Sequence, residues 1–118
     1  MSLICCFAVS VYAQPRYSDN HRITLSLTFS SSKGATCYGK ITGAAGTTSI
    51  TNCTVTLTDG DGNQVKSWNN LSATGTTLIF SKTASGVTQG ETYTLSVTAT
   101  VYRNGSSETV SDSVTATY

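Results

Sequence analysis

Short segments in which apolar and polar residues alternate strictly are the feature that most constrains how this chain can fold. The longest runs from Tyr93 to Val101, where Thr and Ser separate apolar residues at every second position. The same period recurs over Ile23–Phe29, Cys37–Ile41 and Cys53–Leu57. Successive side chains of a β-strand point to opposite faces, so this period predicts strands with one buried and one solvent-facing side. No segment has the spacing of an amphipathic helix.

Turn residues separate these segments at short intervals. Hairpin turns are predicted at Asp59–Asn63 and Arg103–Gly105. Longer connections are predicted at Gly43–Ser49, Asn69–Gly75 and Ser85–Gly90. Seven predicted strands remain between the turns. Their number and spacing are typical of an all-β fold, a seven-stranded antiparallel sandwich of the immunoglobulin-like or fibronectin type III-like class.

The N-terminal segment predicts export. Leu3–Tyr12 is an apolar run of about ten residues, too short for a membrane-spanning helix. It ends in Val11-Tyr12-Ala13, a small-x-small pattern typical of signal cleavage before Gln14. We therefore assign residues 1–13 to a signal peptide, 14–21 to an N-terminal extension and 22–118 to the sandwich domain. No basic residue precedes the run, so residues 1–13 are either a minimal signal or part of a longer one; the alternative is a buried first strand.

Four cysteines bear on the redox compartment. Cys5 and Cys6 lie in the predicted signal, whereas Cys37 and Cys53 remain in the mature chain. An even pair in a secreted protein predicts a disulfide between Cys37 and Cys53. It would close a loop of about 17 residues and stabilise the fold by about 3 kcal/mol in the chain-entropy model. The alternative is two free, buried thiols.

Charge and catalytic residue types limit the function classes. The net charge is +1 and only 11% of residues are charged, with no dense basic patch, so no nucleic-acid partner is predicted. The single histidine, His21, has no evident partner for general-base or nucleophilic chemistry, and the acidic residues are scattered over turns and strand ends. The sequence therefore predicts a protein that is not an enzyme and needs no cofactor. It has no second long apolar segment, so no membrane span is expected in the mature chain.

One acidic turn resembles a calcium loop in part. Asp59, Asp61 and Asn63 have the i, i+2, i+4 spacing of calcium ligands. The later positions of that loop, which need Gly and Glu, are Gln64 and Asn70. The segment is therefore predicted to be a hairpin turn, and no metal site is assigned.

One segment resembles a known structural device. Val87–Val97 is similar to the entry to the sixth strand of fibronectin type III and related immunoglobulin-like domains, in which an apolar residue, a Gly and a Tyr precede an alternating strand. The resemblance implies that Tyr93 forms a tyrosine corner, with its hydroxyl hydrogen-bonded to the preceding backbone. The cysteines depart from the immunoglobulin pattern, because Cys37 and Cys53 lie on the second and third predicted strands and the Tyr93 strand has none.

The chain is also similar to small, single-domain exported proteins of Gram-positive bacteria. The resemblance rests on Pro15-Arg16-Tyr17, on the Cys-x-Gly-x-Ile-Thr-Gly segment of Cys37–Gly43 and on Ser-Glu-Thr-Val at Ser107–Val110. It implies an exported immunoglobulin-like sandwich and leaves the activity open.

Exposed aromatic residues are the candidate ligand contacts. By parity, Tyr102 falls in the outward set of its strand, and Trp68 and Tyr38 could also lie on outward faces, where the three would form a platform that stacks on sugars. The alternative is that Trp68 covers the edge of the core beneath the Asp59–Asn63 hairpin. Our leading hypothesis is a non-catalytic secreted or cell-surface interaction or structural module. It would bind an extracellular protein or glycan by surface contact or edge-strand pairing. The alternative is a carbohydrate-binding module that uses these aromatic residues.

Overall fold

The computed structural model describes residues 9–12, 21–31 and 34–118, and the side chains of all of these except 9–12. These ranges form eight strands: β1 (Val9–Tyr12), β2 (Arg22–Ser30), β3 (Gly34–Thr42), β4 (Thr47–Asp59), β5 (Gln64–Thr74), β6 (Thr77–Ser85), β7 (Thr92–Arg103) and β8 (Ser106–Thr117). The described part of the chain has no helix long and apolar enough to cross a membrane.

The strands form two antiparallel sheets packed face to face. Sheet A has the order β1-β2-β3-β6, and sheet B has the order β5-β4-β7-β8. The predicted all-β sandwich is confirmed, and strands β2 to β8 are the seven predicted within residues 22–118. In constant-type immunoglobulin domains the fourth strand belongs to the sheet of the first two strands. Here β5 pairs with β4 instead and so extends sheet B.

Both sheets contribute alternate side chains to one core. The fully buried aliphatic residues include Leu25 and Leu27 of β2, Leu57 of β4 and Leu95 of β7. The ring of Phe80 packs over Gly39 of β3. A Cβ atom at position 39 would lie 2.2 Å from Cζ of Phe80, which is too close for any side chain. The glycine is therefore required by the ring that lies across it.

The structure corrects the bounds of two elements. Strand β4 begins at Thr47, inside the predicted loop Gly43–Ser49, and β5 continues to Thr74, through the predicted connection Asn69–Gly75. Asn52 and Asn70 have positive φ angles of 52° and 61°, and the β4–β5 register shifts around Cys53. Such bulges insert an extra residue and break the period of two, which is why the alternation was lost while pairing continued.

The two hairpin turns predicted from composition are confirmed. Asp59–Asn63 joins β4 to β5, and Arg103–Gly105 joins β7 to β8. Asn104 and Gly105 both have positive φ, at 51° and 80°, as a type I′ turn requires. The β7–β8 hairpin then stays in register from Arg103 to Thr92 without a bulge.

The N-terminal residues add a strand to the seven that were predicted. Val9–Tyr12, within the predicted signal peptide, pair antiparallel with β2, with Val9 opposite Leu27 and Tyr12 opposite Thr24. Residues 14–20 of the predicted extension, including Pro15-Arg16-Tyr17, lie outside the described residues. His21, the last residue of that extension, is buried.

Candidate functional site

Tyr93 fixes the connection between the two sheets. The backbone N–H of Thr88 donates a hydrogen bond of 2.8 Å to the hydroxyl oxygen of Tyr93. Its ring lies 5.8 Å from that of Phe29, between ring centroids. This is the contact that a tyrosine corner makes, and its role is to hold the loop before β7 against the core.

Tyr118 closes the same end of the sandwich. Its ring stacks on Phe29 with a centroid distance of 4.9 Å and an interplanar angle of 10°. Its backbone N–H donates to the Glu91 carbonyl and its carbonyl accepts from the Gly90 N–H, both at 2.9 Å. Its hydroxyl donates to the Ser30 carbonyl. The sequence pattern gave no signal for this cluster, because its members are far apart along the chain.

His21 is buried between two segments that the sequence does not link. Its Nδ1 accepts a hydrogen bond of 3.0 Å from the backbone N–H of Ala44. Its Nε2 lies 3.2 Å from Oε1 of Glu108, which is half-buried on β8. A ring whose Nδ1 accepts a hydrogen bond carries its proton on Nε2 when neutral, facing the carboxylate. The pair connects the start of β2 to sheet B, with the imidazole buried and the carboxylate half-buried.

The predicted disulfide is not formed in the structure. Cys37 on β3 and Cys53 on β4 lie in opposite sheets, and both are free, buried thiols. Burial raises the pKa of each thiol to about 11. The disulfide was predicted from an even cysteine count and an exported location, and neither fixes the close approach and orientation that a disulfide needs.

The Asp59–Asn63 turn is held by its own first side chain. Oδ1 of Asp59 accepts hydrogen bonds of 2.9 Å from the backbone N–H groups of Asp61 and Asn63. A carboxylate that accepts from two backbone donors in this way forms an Asx-type turn. Within the described ranges, no group of three or more His, Cys, Asp or Glu residues is placed to hold a metal ion.

The three aromatic residues predicted to form a platform are not brought together. Trp68 on β5 is paired with the buried Val55 and packs, half-buried, against the core. Of the two positions considered for Trp68, on an outward face or covering the edge of the core, the structure shows the second. Tyr38 and Tyr102 are outward as predicted, 36% and 40% exposed, but lie on the outer faces of different sheets. A shared sugar-stacking surface of these three residues is absent.

Tyr38 has a different neighbour, which the sequence did not single out. Tyr38 on β3 is opposite Ser81 of β6, and Lys40 is opposite Ile79. Tyr38 and Ile79 are therefore diagonal neighbours on one face, a spacing that an aromatic side chain can bridge. Ile79 is 59% exposed, the highest value among the large hydrophobic residues of the described chain.

We call the outward side of β2, β3 and β6 the Tyr38–Ile79 face. Besides these two residues, it carries Ser and Thr side chains and two exposed cations, Arg22 and Lys40. No outward position of these three strands holds an acidic residue. The face is therefore a small apolar contact with a positive flank.

The outer face of sheet B has a different chemistry. Its rows of directly opposed residues are almost all hydroxyl-bearing, and two rows show hydroxyl–hydroxyl hydrogen bonds across β7 and β8, at 2.8 Å between Thr92 and Thr117 and 3.2 Å between Thr94 and Thr115. The rows across β4, β7 and β8 are Thr58–Thr94–Thr115, Thr56–Ser96–Ser113, Thr54–Thr98–Ser111 and Thr51–Thr100–Thr109. These rows are uncharged, and their hydroxyls bond partly to one another.

Similar solved structures include the GAE domain of GGA2p from Saccharomyces cerevisiae, with 11% identity and a TM-score of 0.47 over 90% of this chain and 94% of that chain. Another is a beta-glucuronidase from glycoside hydrolase family 2, with 12% identity and a TM-score of 0.41 over 92% of this chain and 11% of that chain. No protein-family model and no curated protein matches the chain. Sequence identities this low say nothing about a shared function.

Proposed function

We propose that this chain is a non-catalytic, exported interaction module that binds an extracellular partner through the Tyr38–Ile79 face. The observation that carries the proposal is the diagonal placement of an exposed aromatic ring and an exposed aliphatic side chain on a surface of Ser and Thr side chains and two cations. Aromatic residues are enriched at interfaces because they bury much area at little entropic cost. Arg22 and Lys40 on the same face favour a partner with acidic groups beside an apolar contact.

Export is the second part of the proposal. It is supported by the apolar Leu3–Tyr12 run, the small residue at Ala13 and the resemblance to exported Gram-positive proteins. N-terminal sequencing of the protein recovered from the medium of its native host tests it. A chain that begins at Gln14 supports export with cleavage, and a chain found only inside the cell with Met1 retained contradicts it.

Site-specific photocrosslinking in the native host tests the binding face. A benzophenone amino acid at position 79 is expected to give a discrete adduct, because Ile79 is the most exposed large hydrophobic residue of the face. The same group at position 98, exposed on the outer face of sheet B, is the matched control and is expected to give none. Loss of the adduct in a folded Tyr38→Ser chain supports the proposal. Equal adducts from positions 79 and 98, or none from position 79, would contradict it.

A further inference from the structure

The four edges of the sandwich differ in how they are protected against pairing with another strand. Natural sheets often block their edges with charged side chains that point inward or with bulges, since an added strand would bury the charge. The edge strands of sheet B are β5 and β8, and one edge of sheet A is β6. The fourth edge is the outer side of β2, which β1 covers in part.

Three of these edges carry an inward-pointing charge. Lys66 of β5 is directly opposite the buried Leu57, and Lys82 of β6 is directly opposite the buried Cys37. On β8, Asp112 is opposite the buried Val97, and Glu108 is opposite the buried Val101. Side chains directly opposite each other lie on the same side of a sheet, so these residues occupy core-side positions at the rims of their strands, where Lys66 is exposed and the other three are half-buried.

The β2 edge has no such protection. Its inward residues are Ile23, Leu25, Leu27 and Phe29, all apolar, and its pairing with β3 runs from Arg22 to Ser30 without a bulge or a proline. Instead of a charged residue, the short strand β1 covers this edge. Val9–Tyr12 pairs antiparallel with Thr24–Leu27, which is only the middle of the nine-residue strand.

We propose that the outer edge of β2 is a strand-acceptor site for an extended, uncharged segment of a partner protein in which apolar and polar residues alternate. Val9-Ser10-Val11-Tyr12 shows the chemistry of the occupant, because this segment of the chain itself is seated there. The inference goes beyond the proposed function, because it concerns a second site, and rests on it in one respect: cleavage after Ala13 removes β1 and leaves the edge for a partner strand. Main-chain hydrogen bonds would then supply affinity and the alternating side chains specificity.

Peptide titration of an isotope-labelled full chain tests the site. The acceptor is the full chain with Ser10→Pro and Val11→Pro, because proline has no N–H and cannot continue the β1 ladder. The probe is the capped peptide Ala-Val-Ser-Val-Tyr-Ala, which corresponds to residues 8–13. We expect saturable shifts of the backbone amide resonances of Thr24–Leu27. A control peptide with the same two prolines is expected to bind at least about tenfold more weakly.

The other edges provide the internal control. The backbone amide resonances of β5, β6 and β8 are expected not to shift during the titration, because the charged residues at core-side positions of these strands disfavour an added strand. The absence of shifts in β2, or equal shifts in β8, would overturn the proposal. Concentration-dependent shifts of β2 without peptide would also overturn it, since the occupant would then be a second copy of the chain.

A second measurement covers the case in which the proline chain does not fold. In the wild-type chain, excess probe peptide is expected to compete with β1, so that the amides of Val9–Tyr12 lose hydrogen-exchange protection while those of Thr24–Leu27 keep it. No loss at Val9–Tyr12 contradicts the inference. Neither measurement depends on export, so the two proposals fail separately. Retention of Met1 in the host would contradict the proposed cleavage and leave β1 as the occupant of the edge, whereas the peptide measurements decide whether the edge accepts an added strand.

Discussion

The imidazole of His21 lies with Nε2 3.2 Å from the Glu108 carboxylate, and this pair connects the start of β2 to the last strand of the opposite sheet. The ring is 1% exposed, and its other nitrogen accepts from the Ala44 N–H. A buried polar ring is stabilising only when its nitrogens have partners. The only histidine of the chain therefore has a structural role at the junction of the two sheets.

Replacing the carboxylate tests that role. Glu108→Ala is expected to lower the free energy of unfolding by about 1–3 kcal/mol, because the buried Nε2 loses the carboxylate beside it. Urea denaturation measures the change. Glu91→Ala, at an exposed side chain, is the control and is expected to change the free energy by less than about 0.5 kcal/mol. Equal effects of the two substitutions would contradict a specific role for the His21–Glu108 pair.

Tyr93→Phe removes only the hydroxyl that accepts from the Thr88 N–H. We expect a loss of about 1–3 kcal/mol in the free energy of unfolding, since the backbone donor is left without this acceptor. Tyr38→Phe makes the same chemical change at an exposed ring and is expected to have almost no effect on stability. Thermal unfolding of both variants measures the difference, and similar melting temperatures would show that the corner is unimportant.

Gly39→Ala is expected to destabilise the fold by about 1–3 kcal/mol, because its Cβ would overlap the Phe80 ring, which is itself buried. Gly60→Ala is the matched control: its Cβ has ordinary contacts, the nearest at 3.5 Å. Denaturant unfolding measures both. If the overlap is the cause, Phe80→Leu should lower the free energy of unfolding by less in the Gly39→Ala chain than in the wild type. Additive effects of the two substitutions would contradict that cause.

The two thiols give a pH-dependent prediction. Burial raises the pKa of Cys37 and Cys53 from 9.0 to about 11, so the unfolded chain loses these protons before the folded chain does. The thiols therefore contribute no pH dependence well below pH 9, and the free energy of unfolding falls as the pH rises from about 9 to about 11. The slope is expected to be smaller in the Cys37→Ala, Cys53→Ala double variant, and an equal slope would contradict the assignment.

Alkylation and intact mass test the redox state of the same residues. In the native protein at neutral pH, iodoacetamide is expected to react with neither thiol, because the thiolate is the nucleophile and both groups are buried. After unfolding without a reductant, both are expected to be modified. An unfolded chain that takes up no label until it is reduced would show a disulfide and contradict the free thiols of the structure.

Asp112→Val tests the protection of the β8 edge. Removing the inward-pointing charge leaves a long edge without a bulge, so we expect stronger concentration-dependent self-association than in the wild type. Ser113→Val places the same side chain at the neighbouring exposed, outward position and serves as the control. Sedimentation velocity over a concentration series measures both. Equal self-association of the two variants would contradict the prediction, since it would show that any added valine promotes association and that the β8 edge has no special role.

The period of two was sufficient to predict the sandwich and most of its strands. It identified the buried faces of β2, β3 and β7 because each of these strands alternates without interruption. It failed for the second half of β5, where positive φ at Asn70 accompanies a register shift. A further register shift lies between Leu57 and Thr58, opposite the start of β5, so parity counted along β5 does not fix the side of Trp68, which packs against the core.

The contacts of the candidate site depend on register between distant strands, which the sequence alone does not specify. The pairing of His21 with Glu108 joins residues 87 positions apart, and the Tyr38–Ile79 neighbourhood depends on how β3 and β6 align. Tyr93 could be assigned because its partner, Thr88, is only five residues away. Local hydrogen bonds leave a sequence signature, whereas contacts across the sandwich leave none in a single sequence.

Hydrogen–deuterium exchange of the full chain tests the central claim, that β2 is the one edge of the described sandwich kept for a strand partner. The wild type is compared with the Ser10→Pro, Val11→Pro chain under native conditions. We predict that Thr24–Leu27 exchanges faster in the proline chain, while β5, β6 and β8 exchange at unchanged rates. Unchanged exchange at Thr24–Leu27 would contradict the claim, since the β2 edge would then not depend on an added strand.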